Sequence, residues 1–331
     1  MTAAVLICFS QSRASDIPAA KQLPLCAYDA NAAQVSRDAI AVFMKCTGIS
    51  IRGIQCDPEG IVDRRVREIA STWDIDESYA KKFYATLVAG VAIAISAYGH
   101  TPIATQVHIA TYTLLTICVD DLIMGTDAVE EFMTRLYSGQ PQTHPILQYL
   151  AENLAAMPDF FPPDAAKAIV ASTVIFVNQT LFDKKLEGIT IHQDARQFVE
   201  SKRIKNGLAE AYSFFIWDKE TFPDVVSYIQ SVPETLIYLN FVNDIFSFYK
   251  EELQGDVNNY IHDRATVTNK VPQDALIDVV NEAVDAVERA RAIVQTDLEK
   301  STLERFFVGY VIFHFIAQRY HLYELTGSDY V

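Results

Sequence analysis

Apolar residues recur along most of the chain at spacings of three and four, and strict alternation of apolar with polar positions is rare. The first pattern belongs to helices that bury one face, the second to half-buried strands. An all-α protein is therefore predicted, with helices over 31–46, 61–73, 77–98, 103–124, 127–137, 145–157, 163–182, 195–217, 233–254, 271–300 and 302–325. Punctuation supports several ends. "MPDFFPPD" at 157–164 separates two segments, Pro233 stands where a first turn tolerates a missing N–H, and Gly255 follows its helix as a C-terminal glycine does. No Gly/Ser-rich or Pro-rich linker divides residues 1–331 and no repeat is visible, so a single domain is expected.

The helix over 233–254 raises a chemical question. Its stretch "NFVNDIFSFYKEEL" (240–253) is apolar on nearly every side except along Asn243, Asp244, Ser247, Lys250 and Glu251. Residues spaced four apart on a helix are rotated by only ~40° from one to the next, so Asn243, Ser247 and Glu251 share one edge over ~12 Å. A solvated face has the same spacing. Short amide, hydroxyl and carboxylate oxygens are also the set that a hard cation such as Mg²⁺ accepts. Both readings stay open on chemistry alone. A second acidic feature lies upstream, where Asp120 and Asp121 close the apolar run "IATYTLLTICVDDLIMG" (109–125). Carboxylates at a helix C-terminus face the negative end of the macrodipole at a cost of ~0.3–1 kcal/mol, so either solvent or a positive group is expected beside them.

Composition narrows the classes. Half of the 331 residues are hydrophobic, 11% are aromatic, and Gly and Pro number 12 each, which excludes a disordered or fibrous chain. The formal charge of −15 arises from 42 acidic against 27 basic residues with no dense basic block, so nucleic acid is not an expected partner. Five scattered cysteines (Cys8, Cys26, Cys46, Cys56, Cys118) lack metal-site spacing and read as reduced thiols of an intracellular, cytoplasmic protein. "MTAAVLICFS" has no basic flank, against a signal peptide. "LVAGVAIAISAYG" (87–99) falls short of the ~20 residues of a membrane span and reads as a buried core helix.

The acidic pair and "NDIFSFYKE" (243–251) together resemble the class I terpene synthases, and the spelling is most similar to the fungal trichodiene synthase group. The resemblance implies a single-domain helical bundle around a central apolar cavity. An aspartate-rich motif and an Asn/Ser/Glu triad would face each other across its mouth and bind three Mg²⁺ ions and the substrate diphosphate. Carried onto this chain, it makes Asp120 the metal-binding aspartate with Asp121 beside it. Asn243, Ser247 and Glu251 would hold another Mg²⁺, and Lys250 would contact diphosphate. In "RIKNG" (203–207), Arg203 corresponds to the diphosphate sensor, Asn206 to the linker and Gly207 to the effector at a helix break. In "QRYHLYEL" (318–325), Arg319 and Tyr320 match the family's Arg-Tyr pair.

One position departs from the pattern. A full DDxxD/E motif has an acid where this chain has Met124, which leaves the part of Asp121 open and makes Asp127 a candidate substitute. Taken singly, Arg203 beside Lys202 and Lys205 reads as a surface basic cluster, Gly207 as helix punctuation, and Tyr320 as core.

The function so implied is Mg²⁺-dependent ionisation and cyclisation of farnesyl diphosphate to a sesquiterpene hydrocarbon or alcohol, in a chain for which a homodimer is an open option. Desolvated aromatic faces stabilise a nearby cation by ~1–2 kcal/mol each. Tyr84, Tyr112, Phe214, Phe215, Trp217, Phe241 and Phe313 are candidates by helix and type, although core packing is the commoner use of each. A chain-elongating prenyltransferase would need a second aspartate-rich motif where Asn243, Ser247 and Glu251 stand. Met124 also leaves room for an inactive scaffold or lipid-binding protein.

Overall fold

The computed structural model describes residues 27–52 and 56–326. Its helices are α1 (Ala27–Thr47), α2 (Ile61–Ala70), α3 (Ala80–Ala97), α4 (Ile103–Leu122), α5 (Asp127–Ser138), α6 (Pro145–Ala155) and α7 (Pro163–Leu186). After these come α8 (Arg196–Asn206), α9 (Ala209–Phe214), α10 (Val232–Gln254), α11 (Tyr260–Thr268), α12 (Pro272–Ile293), α13 (Asp297–Ile316) and α14 (Leu322–Thr326). Among the described residues there is no strand, and the all-α fold expected from the periodicity is the fold observed.

A wall made of α3, α4, α7, the α8–α9 pair, α10 and α13 surrounds a central cleft. Outside it, α1 and α12 pack on α10, α2 and α6 pack on α4, α5 supports α7, and α11 bridges α8 to α12. Two glycines set the closeness of the wall. A β-carbon at Gly309 of α13 would come 2.0 Å from the Ser96 carbonyl oxygen of α3, and one at Gly90 of α3 would come 2.6 Å from that of Ala110 in α4. Without side chains at these crossings, α3 lies backbone to backbone with both neighbours.

Helix ends carry their own chemistry. Pro233 lies in the first turn of α10, and Gly255 closes that helix in the left-handed conformation at φ 66°. The α13 start is a capping box: the Glu299 amide donates to Thr296 Oγ1 at 3.2 Å, and the Thr296 amide donates to the Glu299 carboxylate at 3.0 Å.

Several boundaries differ from those the pattern predicts. The helix over 195–217 is two helices, α8 and α9, joined through Leu208 at φ 52°. The runs over 271–300 and 302–325 divide instead at Val294–Gln295, and α13 stops at Ile316 before a single 3₁₀ turn, Gln318–Tyr320. Helix α11 has no predicted counterpart; it is short and begins with Asn259 Oδ1 accepting the His262 amide at 3.0 Å.

Cys46, Cys56 and Cys118 are free thiols. Cys8, Cys26 and the N-terminal "MTAAVLICFS" lie outside the described residues. The apolar run at 87–99 lies largely in the helical segment Glu77–Ala97, close to the predicted 77–98. Glu77–Ala97 (mean hydropathy 1.3) and Pro163–Leu186 (1.4) are long and apolar enough to cross a membrane by length and composition, and here both are wall helices of the bundle.

Candidate active site

The cleft has two adjoining compartments. The outer, of about 310 Å³, is polar, with Asp120, Asp183, Lys250, Glu251 and Arg319 on its walls. The deeper, of about 210 Å³, is lined by Tyr212, Leu239, Asn240, Tyr310 and Phe313 with Tyr320 above them. Asp120, Phe176, Arg203, Asn206, Asn243 and Arg319 line both and so mark the boundary.

The last turn of α4 brings Asp120 to this boundary. The residue is exposed there to the cleft. Burial, then Asp121, then Asp183 push its carboxyl up to about 6, and Arg319 acts against them. Arg319 is the positive group that the macrodipole argument calls for. Asp121 lines the deeper compartment and also a side groove of about 390 Å³ that it shares with Lys82 and Arg319.

Across the cleft, α10 presents its polar edge. The Asn243 side chain accepts from Arg203 Nη2 at 3.4 Å and donates to the Tyr320 hydroxyl at 3.1 Å. One turn on, Ser247 is 2% exposed and its hydroxyl has no hydrogen-bond partner. A further turn on, Glu251 lies 3.9 Å from Lys250 Nζ. Burial lowers the Lys250 ammonium, with Glu251 acting to raise it and Arg319 to lower it further. Lys250 and Arg319 lie 5.7 Å and 5.8 Å from the centre of the Tyr320 ring, so two cations share one aromatic face donor.

Arg203, from the last turn of α8, makes a bidentate pair with Asp244, its Nε and Nη2 each 2.9 Å from a carboxylate oxygen. It also donates to the Asn240 carbonyl at 2.9 Å and to Asn206 Oδ1 at 3.3 Å. Burial drives the Asp244 carboxyl up to about 6 against the pull of Arg203. Burial also lowers Arg203, but Asp244 outweighs it and holds the guanidinium above the usual arginine range. The bidentate contacts keep both groups charged at neutral pH. Gly207 lies directly behind: an added β-carbon there would come 2.1 Å from Asn240 Oδ1 and 2.8 Å from Arg203 Nη1.

The expected residues Asp120, Asp121, Arg203, Asn206, Gly207, Asn243, Lys250, Glu251, Arg319 and Tyr320 thus line one cleft. Ser247 lies beneath the lining rather than in it. Asp127 opens α5 in an exposed position and lines neither compartment. The acid that faces Asp120 is Asp183 of α7, held by Gln179 Nε2 at 2.9 Å. Its signal was present, since it is an acid in the last turns of an apolar helix, as Asp120 is.

The aromatic candidates divide. Phe313 lines the deeper compartment, whereas Tyr112, Phe215 and Trp217 are fully buried core, and Tyr84 is half exposed beside Arg67. Phe241 stacks on Tyr260, with ring centres 5.7 Å apart. Phe176, Tyr212 and Tyr310 face the cleft and were not singled out by the sequence, because periodicity does not tell the cavity side of a buried helix from its core side.

The sequence profile described as trichodiene synthase matches residues 74–329. The chain belongs to the trichodiene synthase family. Among curated relatives it is 36% identical over 298 residues to Monoterpene synthase 25 of Postia placenta, covering 89% of this chain and 88% of that protein. It is 33% identical over 257 residues to Terpene synthase BipA of Cochliobolus sativus, covering 76% and 78%, and 28% identical over 285 residues to an (E)-beta farnesene synthase of Metarhizium brunneum, covering 84% and 86%. In fold it is similar to the linalool/nerolidol synthase of Streptomyces clavuligerus, with a TM-score of 0.59 at 15% identity over 81% of this chain and 99% of that one. This member of the family is a terpene cyclase, an enzyme class that acts on prenyl diphosphates.

Family members generally use Mg²⁺, and the donors here suit it. Asn243, Ser247 and Glu251 offer hard oxygens of three kinds, and the buried Ser247 hydroxyl is one that no protein group satisfies. Among the described residues no three His, Cys, Asp or Glu side chains converge as a metal cage. An ion in this cleft therefore depends on amide, hydroxyl and substrate oxygens as well as carboxylates, the mode by which Mg²⁺ is commonly held with phosphates.

Proposed function

We propose that this cyclase ionises farnesyl diphosphate with the help of Mg²⁺ and closes the resulting cation to a sesquiterpene hydrocarbon or alcohol, using residues 1–331 as one catalytic domain. The observation that carries the reading is the meeting, around one cleft, of acids from α4, the polar edge of α10 and four diphosphate-type donors, above a compartment to which Phe176, Tyr212, Tyr310 and Phe313 contribute aromatic side chains.

Breaking the carbon–oxygen bond requires the leaving diphosphate to be stabilised as its charge grows. Arg203, Lys250, Arg319 and the Tyr320 hydroxyl donate charge-assisted or neutral hydrogen bonds to its oxygens. Asp120, with Asp121 beside it, and the set Asn243, Ser247 and Glu251 would hold the Mg²⁺ ions, which supply Lewis acidity to the same leaving group. Asn206 and Gly207 link the Arg203 guanidinium to the helix break at the cavity wall. Below the rim, Phe176, Tyr212, Tyr310 and Phe313 exclude bulk water and turn aromatic surface towards the cation.

A second reading, a C10 substrate, is favoured by the relative named as a monoterpene synthase. Chain elongation is disfavoured because Asn243 and Ser247 stand where a second pair of carboxylates would be needed. Incubation with Mg²⁺ and C10, C15 or C20 prenyl diphosphates, with products identified by mass spectrometry, separates these. Cyclic C15 products are expected. Turnover of the C10 substrate alone moves the assignment to a monoterpene, and no diphosphate release from any of the three sinks the proposal.

A further inference from the structure

The deeper compartment descends along α4. Asp120 stands at its rim, and Ile117, Thr116 and Thr113 follow it down one face of that helix, a span of ~10 Å. There the lining ends: Ile109 and Ala110, the next positions inward on the same face, are 0% exposed and line neither compartment. At that depth Tyr212 of α9 reaches across. Its hydroxyl donates to Thr113 Oγ1 at 2.9 Å, so one side chain joins the α9 wall to the α4 wall. Burial pushes its phenol up to about 12, with hydrogen bonding to Thr113 and Thr116 acting against it, so the hydroxyl stays a neutral donor at neutral pH.

The Tyr212 ring is backed by other aromatic side chains. Tyr112 and Phe215 pack edge to face with it, their ring centres 6.0 Å and 5.6 Å away. Tyr98 lies alongside at 6.4 Å and donates its hydroxyl to the Tyr212 carbonyl at 2.8 Å. All three are fully buried and line neither compartment, so Tyr212 is the one of the four that meets the cleft. A ring held in this way resists displacement, because moving it breaks the bond to Thr113 and the contacts with three close-packed rings. The compartment it closes has a volume of about 210 Å³. A prenyl chain whose diphosphate sits among Arg203, Lys250 and Arg319 turns its far end towards Tyr212. A phenol ring and an isoprene unit are of comparable bulk, so the ring takes up the space that one further unit would need.

The geometry points to Tyr212 as the residue that sets the longest prenyl chain this enzyme accepts: with the ring in place the chain ends above the bridge to Thr113, and without it one more isoprene unit fits. The inference rests on the cyclase reading above and names the side chain that limits its substrate length. Tyr212 acts here by bulk, in contact with the end of the substrate remote from the bond that breaks.

The test is kcat/KM of the full-length enzyme with Mg²⁺ for C10, C15 and C20 prenyl diphosphates, read as diphosphate release, in the wild type, Tyr212→Ala and Tyr212→Leu. The quantity compared is the ratio of the next longer chain to the preferred one, C20 to C15 on the reading above, or C15 to C10 for a wild type that prefers C10. Misfit of a single methylene in an apolar pocket changes kcat/KM by about tenfold or more. Tyr212→Ala is therefore expected to raise the ratio by ~tenfold or more, and Tyr212→Leu to raise it in the same direction by less. An equal loss on both chains, with the ratio unchanged, makes the ring a packing element alone and overturns the inference. A wild type that turns over C20 as readily as the shorter chains overturns it too, and either result leaves the cyclase reading standing. If Tyr212→Ala does not fold by circular dichroism, the Tyr212→Leu ratio decides. Absence of diphosphate release in the wild type overturns both readings together.

Discussion

A buried hydroxyl with no partner, such as that of Ser247, costs stability rather than adding to it and is informative for that reason. Ser247→Ala is expected to leave the unfolding free energy equal to or above that of wild type, because the lost oxygen was buried and unsatisfied. Mg²⁺ affinity measured calorimetrically should fall about tenfold, the equivalent of ~1.4 kcal/mol. Unchanged affinity would remove Ser247 from the metal set. Asn243→Leu removes contacts to Arg203 and Tyr320 and should abolish turnover while the protein stays folded by circular dichroism. Asp183 acts on Asp120 through charge, helping to raise its carboxyl to about 6. A raised acid holds its proton longer, so Mg²⁺ affinity should decline as pH falls below about 6. In Asp183→Asn the midpoint of that decline should move to lower pH; an unmoved midpoint would detach Asp183 from the site.

At the scale of elements, close backbone approach is the device that shapes the cleft. Gly309→Ala would place a β-carbon 2.0 Å from the Ser96 carbonyl oxygen and must push α13 off α3. A loss of ~1–3 kcal/mol is expected in denaturant unfolding. Gly207→Ala meets side chains rather than backbone, Asn240 and Arg203, which can shift. Its effect should appear mainly in turnover, with a smaller change in Tm. The break behind Gly207 was not legible from periodicity, because apolar positions continue through Leu208 and the residue adopts φ 52° under tertiary constraint. The α12–α13 boundary was legible and was read wrongly: "TDLE" at 296–299 spells the capping box that forms there, within a run whose apolar period hides the interruption.

For the whole molecule, titratable groups shifted by the fold give opposing pH contributions. Burial depresses His108 to about 4 and His314 to about 3, so on lowering the pH below 6.5 the unfolded chain takes up protons that the folded chain refuses. Each histidine therefore withdraws stability as pH falls through that window, by up to ~1.4 kcal/mol per unit. Asp120 and Asp244, both raised to about 6, have the opposite sign, because the folded chain binds their protons first. The difference between wild type and His314→Phe isolates one term. The variant should gain on the wild type by ~1.4 kcal/mol per unit as pH drops from 6.5 to 4, read from urea midpoints. A pH-independent difference would mean that His314 is not held neutral.

The sequence by itself determined the helical class, most helix bodies, and the two chemical poles at Asp120 and along Asn243–Glu251, because spacing on a helix fixes which side chains share an edge. Resemblance in motif order added Arg203, Lys250, Arg319 and Tyr320. Only the tertiary structure decided that Asp183 rather than Asp127 faces Asp120, that Asp244 engages Arg203, and that Phe176, Tyr212 and Tyr310 rather than Tyr112 or Trp217 meet the cleft. The physical reason is common to all of these. A helix buried on every side has an apolar pattern that is silent about which neighbour each face meets, and that choice is made by packing between segments far apart in the chain.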